Sequence, residues 1–248
     1  SAADFNLRFS GTVGTSFTSD MAIDLTQLID TPVYGCTDAL ASNYDPTANV
    51  NDGTCNYAPC AAPTPYHETF SSGALPLGYC FPSQWATSVT TGDGWRFIGS
   101  PGYQAGANGR TAGTYTWIDF SGTDVGTILE VEDVDMSTTT SPALMFDYFS
   151  DLGTYTCGYN ILHVEAFDGT TWNTVVSLQQ GTTGWETFTY PLNGLLNGNN
   201  AEIRFRGESS GQSCDYYNDL LLDDVKIIDV IPGCTDSTYS NYDATATI

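Results

Sequence analysis

The sequence predicts an all-β sandwich, on three observations. Segments such as "TYTWIDFSG", "ALMFDYFS", "NILHVEAFDG", "WETFTYPL", "AEIRFRGE" and "LLLDDVKIID" are rich in Ile, Val, Thr, Phe, Tyr and Trp, and many alternate apolar with polar residues. Clusters of Gly, Asn, Asp and Pro bound them, so short strands follow one another through turns. No stretch sustains a helical period, and a helical turn around "DALASNYD" is the one helix expected.

Composition supports a folded chain and narrows its partners. Of the 248 residues, 41% are hydrophobic and 13% aromatic, enough to bury a core. The 29 acidic residues outweigh 6 basic ones, giving a formal charge of -23, and Lys226 is the one lysine. Such a surface repels nucleic acid and anionic lipid and attracts cations. No apolar run approaches the roughly 18 residues of a membrane span, so membrane insertion is not expected. The first residues lack the basic-then-apolar pattern of a signal peptide, which predicts a processed or internal segment. Seven cysteines with no CxxC pair fit disulfides in an extracellular setting better than zinc or redox chemistry.

The sequence repeats itself. "GCTDALASNYDPTANVNDGTC" at 35 to 55 returns as "GCTDSTYSNYDATATI" from 233, a period of 198 residues from Cys36 to Cys234. The match extends upstream, where "NLRFSG" at 6 to 11 parallels "EIRFRG" at 202 to 207 and "DMAIDLTQLID" at 20 to 30 parallels "DLLLDDVKIID" at 219 to 229. The offset grows from 196 to 199 across "GESSGQSCDYYND", as a loop insertion would make it.

Four parts follow in order. Residues 1 to 31 read as the last two strands of a preceding sandwich, to be completed by a domain in cis or by another chain in trans. Residues 32 to 59 form a cysteine-closed linker, 60 to 230 a complete sandwich, and 231 to 248 the start of the next linker. Pro32, Pro59, Pro63, Pro65 and Pro232 cluster at the junctions, as stiff connections require.

Two resemblances sharpen this organisation. Cys60 and "HETF", then Cys80 and Trp85, "GDGWRF", "IDFSG", "LMFDY", "LHVEAFDG", Trp185 and "LDDVKI" resemble, in that order, a MAM-type jelly roll. The resemblance implies a Cys60–Cys80 disulfide, whereas Ala143 stands where the family often has a further cysteine. The linker resembles the GCTD modules of very large secreted surface proteins from gliding Gram-negative bacteria that use type IX secretion. Together they imply an adhesin or surface filament at the cell surface. A Cys36–Cys55 bridge would stabilise so small a unit by roughly 3 kcal/mol. Cys157 and Cys214 would then join two long loops at one end of the sandwich.

Carboxylates and amides suggest calcium at two places. Asp38, Asn43, Asp45, Asn49, Asn51 and Asp52 crowd oxygen donors into the linker, though not at EF-hand spacing; the same residues suit Asx turns around Gly53. Glu68, Asp119 and one of Asp223 or Asp224 would repel one another without a cation between them, and the jelly-roll resemblance implies calcium there, favouring Asp224. In the preceding copy Leu25 takes that place.

Catalysis has little support: the histidines are His67 and His163, and neither a GxSxG elbow nor a phosphate loop is present. The loops carrying Cys157 and Cys214 present Tyr155, Tyr159, Asp215, Tyr216 and Tyr217, suited to sugar or protein contact, or to covering the sandwich end. The five tryptophans read as core or strand-flanking residues. The sequence therefore predicts a non-enzymatic, calcium-stabilised module of an extracellular tandem array. Its partners would be neighbouring repeats, other copies in a filament, and a glycan or protein on a target surface.

Overall fold

The computed structural model describes residues 8–10, 31–39, 41–56, 61–79, 84–122, 126–156, 158–231, 233–234, 236–244 and 246. The chain divides into two units, 1–58 and 59–248. The strands expected at 1 to 31 lie almost wholly outside the described residues, as do Cys60, Cys80 and Cys157.

The first unit holds the linker. A parallel pair, β1 (Tyr34–Gly35) with β2 (Val50–Asn51), is closed by the Cys36–Cys55 disulfide. Cys36 and Ala41 are the only buried side chains between 31 and 56 among the described residues, so no apolar core holds it. "DALASNYD" forms successive turns rather than a helix, with Ala41 N–H donating to Asp38 O and Tyr44 N–H to Ala41 O, each at 3.1 Å.

The second unit is an antiparallel jelly-roll sandwich. Its strands are β3 (Ala62–Pro63), β4 (Tyr66–Glu68), β5 (Ala86–Ser88), β6 (Trp95–Arg96), β7 (Thr116–Ile118), β8 (Thr127–Glu130), β9 (Val134–Asp135), β10 (Pro142–Ser150), β11 (Ile161–Phe167), β12 (Trp172–Leu178), β13 (Glu186–Pro191), β14 (Asn200–Ala201), β15 (Ile203–Glu208) and β16 (Leu220–Asp229). One sheet runs β13-β10-β16-β7-β6 with β4 also on β16; the facing sheet runs β12-β11-β15-β8-β5, and β14-β9-β3 forms a short third sheet.

Alternation places the core between the two large sheets. Ile203 and Phe205 of β15 point inward with Leu162, Val164 and Ala166 of β11, against Leu144, Phe146 and Tyr148 of β10 and Leu222, Val225 and Ile227 of β16. Gly207 continues the inward series because a Cβ there would sit 2.3 Å from the Ile118 side chain. Trp85, Trp95 and Trp117 are buried as expected. Trp172 and Trp185 flank strands, with Arg204 and Arg110 stacked on them at 4.2 and 4.0 Å. A second, smaller core of Ala105, Tyr115, Trp117, Phe149 and Leu221 lies apart from the first.

The topology separates two ends. Ala62 N–H donates to Asp133 O and Val230 N–H to Ser141 O, so the chain enters and leaves beside the start of β10. The other end begins where Ser150 pairs with Leu220, roughly 25 Å away along β10.

The described residues beyond β16 repeat the bonds of the first copy. The Cys36–Tyr44 bridge recurs as Cys234–Tyr242. Asp45 N–H to Cys36 O recurs as Asp243 N–H to Cys234 O, both at 2.9 Å. The sulfur of Cys36 lies 3.7 Å from Asp38 O, and that of Cys234 lies 3.7 Å from Asp236 O.

Candidate functional site

At the end remote from the junctions three loops converge. The 209–218 loop is pinned by two amides with no exposed surface, Asn160 and Asn218. Asn160 N–H donates to Asn218 Oδ1 at 2.7 Å, the Asn160 amide donates to the backbone oxygens of Asp215 and Asn218, and Asn218 Nδ2 donates to Ser150 Oγ at 2.9 Å. Every arm of this clasp is satisfied, which makes a buried polar network rigid. It sets a 3₁₀ turn at Asp215–Tyr217. Ser209 Oγ donates to Asp215 Oδ2, and Cys214 is disulfide-bonded. Its expected partner, Cys157, lies outside the described residues.

The turn at Asp151 to Gly153 raises Tyr155. Gly153 N–H donates to Asp151 Oδ1 at 2.6 Å, and Gly153 takes φ +56, the conformation glycine adopts without strain. Tyr155 then stacks flat on Tyr217, with centroids 3.8 Å apart and planes 6° apart, while Tyr216 touches Tyr217 at 4.3 Å. The bond with Tyr216 holds the Tyr217 phenol above its ordinary value. Tyr159 lies aside, its hydroxyl 2.4 Å from where a Cβ on Gly181 would stand.

The third loop supplies a ring that the sequence did not single out. Tyr103 meets Tyr217 edge-on at 4.5 Å and Tyr155 at 6.2 Å and 82°. It opens a 3₁₀ helix at Tyr103–Ala107 whose Ala105 anchors in the second core. Tyr103 has φ +46, an uncommon conformation for a non-glycine residue. The preceding Gly102 N–H donates to Asp219 Oδ2 at 2.6 Å. Asp219 is 2% exposed, and burial pushes its carboxyl up to about 7 against the pull of the Gly102 and Phe120 N–H groups. The two 3₁₀ helices arise from loop contacts without sequence period, which is why the expectation of a single helical turn missed them.

The linker donors turn back onto their own backbone. Asp45 Oδ1 accepts from Thr47 N–H and Oγ1 at 2.8 and 2.6 Å, and Asp52 Oδ1 from Thr54 N–H and Oγ1 at 3.0 and 2.6 Å. Asn51 Oδ1 accepts from Gly53 N–H at 2.9 Å, and Asn43 bridges Asn56 N–H and Thr54 O. The threonine hydroxyls hold Asp45 and Asp52 below the usual 3.8. These are the Asx turns that the spacing also suited. Asp38 contributes its backbone oxygen to the first turn.

Register parts the second carboxylate set. Glu68 lies opposite Val225, beside Asp224, whereas Asp119 follows Ile118, which lies opposite Leu220. Five residues of strand separate Leu220 from Val225, roughly 16 Å. Each acid has its own partner. Glu68 Oε1 accepts from Phe70 N–H at 2.5 Å, Asp224 Oδ1 lies 2.6 Å from His67 Nε2, and Asp119 pairs with Arg96 at 2.7 Å. Burial opposes the charge of Asp119, but Ser121 N–H and Arg96 outweigh it and hold the group low. Among the described residues no three His, Cys, Asp or Glu side chains group as a metal site would need.

One acidic cluster escaped sequence reasoning. Arg110, on the Trp185 ring, bridges Asp147 and Asp223 and lies 3.8 Å from Asp224. Burial raises Asp223 to about 6 although Arg110 pulls it down. Asp224 has φ +49 within a β-bulge against β10.

No known family matches the chain, and no curated protein does. Similar solved structures include the K2 cleaved adhesin domain of Lys-gingipain, 16% identical over 66% of this chain and 97% of that one, TM-score 0.43. TmCBM61 in complex with beta-1,4-galactotriose is 10% identical over 65% and 94%, TM-score 0.44. A family 6 carbohydrate-binding module is 11% identical over 69% and 99%, TM-score 0.37.

Proposed function

We propose that this chain is an extracellular, non-catalytic module of a tandem array, structural and adhesive in role and stabilised by calcium. The observation that carries the reading is the repeated linker fold. Two motifs 198 residues apart share hydrogen bonds at the same lengths, one with its disulfide and one with Cys234 free. Phe9 adds support: it is 58% exposed, while its counterpart in the repeat, Phe205, is fully buried. A sandwich contributing the partner surface of Phe9 would complete that copy, from the same chain or another copy in a filament. The linker's resemblance to GCTD modules supports type IX secretion and a place on the cell surface.

The test is the size of the native polypeptide on a reducing denaturing gel, probed with an antibody raised against residues 60 to 230. A band of many 198-residue periods is expected; a band at the size of this chain alone would overturn the array. Calcium is checked separately, since a melting temperature unchanged by chelation would remove it from the proposal. Hydrolysis of any member of a polysaccharide panel would overturn the non-catalytic reading.

A further inference from the structure

The rings at the remote end combine features that do not serve stability. Tyr103 and Tyr155 are 50% and 39% exposed, Tyr103 sits at positive φ, and the buried Asp219 holds the backbone just before it. Backbone strain persists where the surrounding structure enforces it, often at binding sites. The rings are preorganised, because Tyr217 is packed by Tyr103, Tyr155 and Tyr216 at once. The chain enters and leaves roughly 25 Å away, so its own junctions are at the opposite end.

We propose that Tyr103, Tyr155, Tyr216 and Tyr217 form a platform that binds a neutral glycan, with Asp219 as the positioning residue that holds Tyr103 through Gly102. This gives the adhesive role proposed above its contact surface, and it rests on that reading only for its biological setting. An aromatic face carries the negative end of a quadrupole and attracts the C–H bonds of a pyranose ring. The two most exposed rings stand 82° apart and offer two such surfaces. Around them the loops at 99–109, 151–159 and 209–219 contain no Lys, Arg or His, while Gln104, Ser210 and Gln212 supply uncharged hydrogen-bonding groups.

Charge selects against anionic occupants. A uronic-acid or sialylated chain meets no cation here, and a second copy of this chain brings a formal charge of -23. A basic peptide is the competing occupant, and the hexa-arginine probe below tests it.

The experiment titrates the full chain, by calorimetry and by ring proton resonances, with neutral β-1,4-linked hexasaccharides of glucose, mannose, galactose and xylose. A hexagalacturonate and a hexa-arginine peptide run alongside. At least one neutral sugar should bind saturably, with affinity lowered about tenfold by Tyr155→Ala or Tyr103→Ala and little changed by Tyr155→Phe. Raising salt from about 50 to about 500 mM should leave that affinity unchanged, since no ion pair is made. Asp219→Ala should weaken binding like Tyr103→Ala, and Asp219→Asn, which keeps an acceptor for Gly102 N–H, should restore it. The proposal is overturned if no neutral sugar saturates below about 10 mM, if binding survives Tyr155→Ala in a chain with unchanged melting temperature, or if only the charged probes bind. A long native polypeptide with no sugar binding would leave the array standing and remove the platform.

Discussion

The linker at 33–56 and the sandwich that follows solve the same problem by opposite means. The linker buries Cys36 and Ala41 and relies on one disulfide and on carboxylates that accept backbone N–H bonds at the surface. The sandwich buries a continuous apolar layer and draws some carboxylates in with it. The same side chain, Asp, is thereby driven in two directions: Asp45 and Asp52 become stronger acids, Asp219 and Asp223 weaker ones. Solvent-facing hydrogen bonds favour the charged form, and burial disfavours it.

The sharpest way to break this contrast is through a repeat pair. Phe205→Ala should destabilise the sandwich by about 3–5 kcal/mol in urea unfolding, because Phe205 fills the core. Phe9→Ala, at the matching place of the preceding copy, should stay within about 0.5 kcal/mol, as exposed positions do. Equal losses would mean that Phe9 is packed too, and the comparison would fail.

Next comes the disulfide. Cys36→Ser with Cys55→Ser should cost the linker roughly 3 kcal/mol, read as faster amide exchange at Tyr44 and Asp45, with the sandwich's melting temperature unchanged. Tyr242 and Asp243 are the internal control, because they form the matching bonds in a motif that neither substitution touches. If exchange at Tyr44 and Asp45 does not change, the bridge contributes nothing beyond the turns.

The smallest effect is in pH. A carboxyl whose folded pKa is lowered contributes stability above its unfolded value, lost as pH falls through the folded one; a raised pKa reverses the sign. Linker amide protection, relative to the intrinsic exchange rate at each pH, should therefore fall as pH drops below about 3.8. The contribution of Asp219 and Asp223 to the sandwich should fall as pH rises from about 3.8 to about 7 and level off above that. Asp219→Asn should flatten most of that slope in melting temperature, and a slope unchanged in the variant would remove Asp219 from the account.

Much of this was legible in the sequence, and the boundary is physical. β10, β11, β15 and β16 read directly from alternation, because half of each strand must face the core. The repeat read directly from identity, and three of the four clustered tyrosines from the loops that carry them. Tyr103 did not, since its place depends on a positive φ and a bond from Gly102 to a residue 117 positions away. The Asn160–Asn218 clasp and the Arg110 bridge escaped for the same reason: lone polar residues reveal their partners only once strands are in register. Carboxylate repulsion suggests a shared cation for Glu68, Asp119 and Asp223 or Asp224, but pairing register, invisible in sequence, sets Asp119 apart from the others.

Entry and exit on one side also decide how this molecule would yield under tension. β4 lies antiparallel to β16, with Tyr66 opposite Ile227 nearest the exit and Glu68 opposite Val225 farther in. A pull on the flanking chain would part these rungs one after another, as a zipper opens, instead of shearing them together. Once opened, the strands between Tyr66 and Asp229 could pay out chain as far as the disulfide at Cys214 allows. The cystine-clamped linker would give almost no length. In the array proposed above, stiff links would alternate with extensible folds that absorb a tug before the proposed glycan contact is asked to hold.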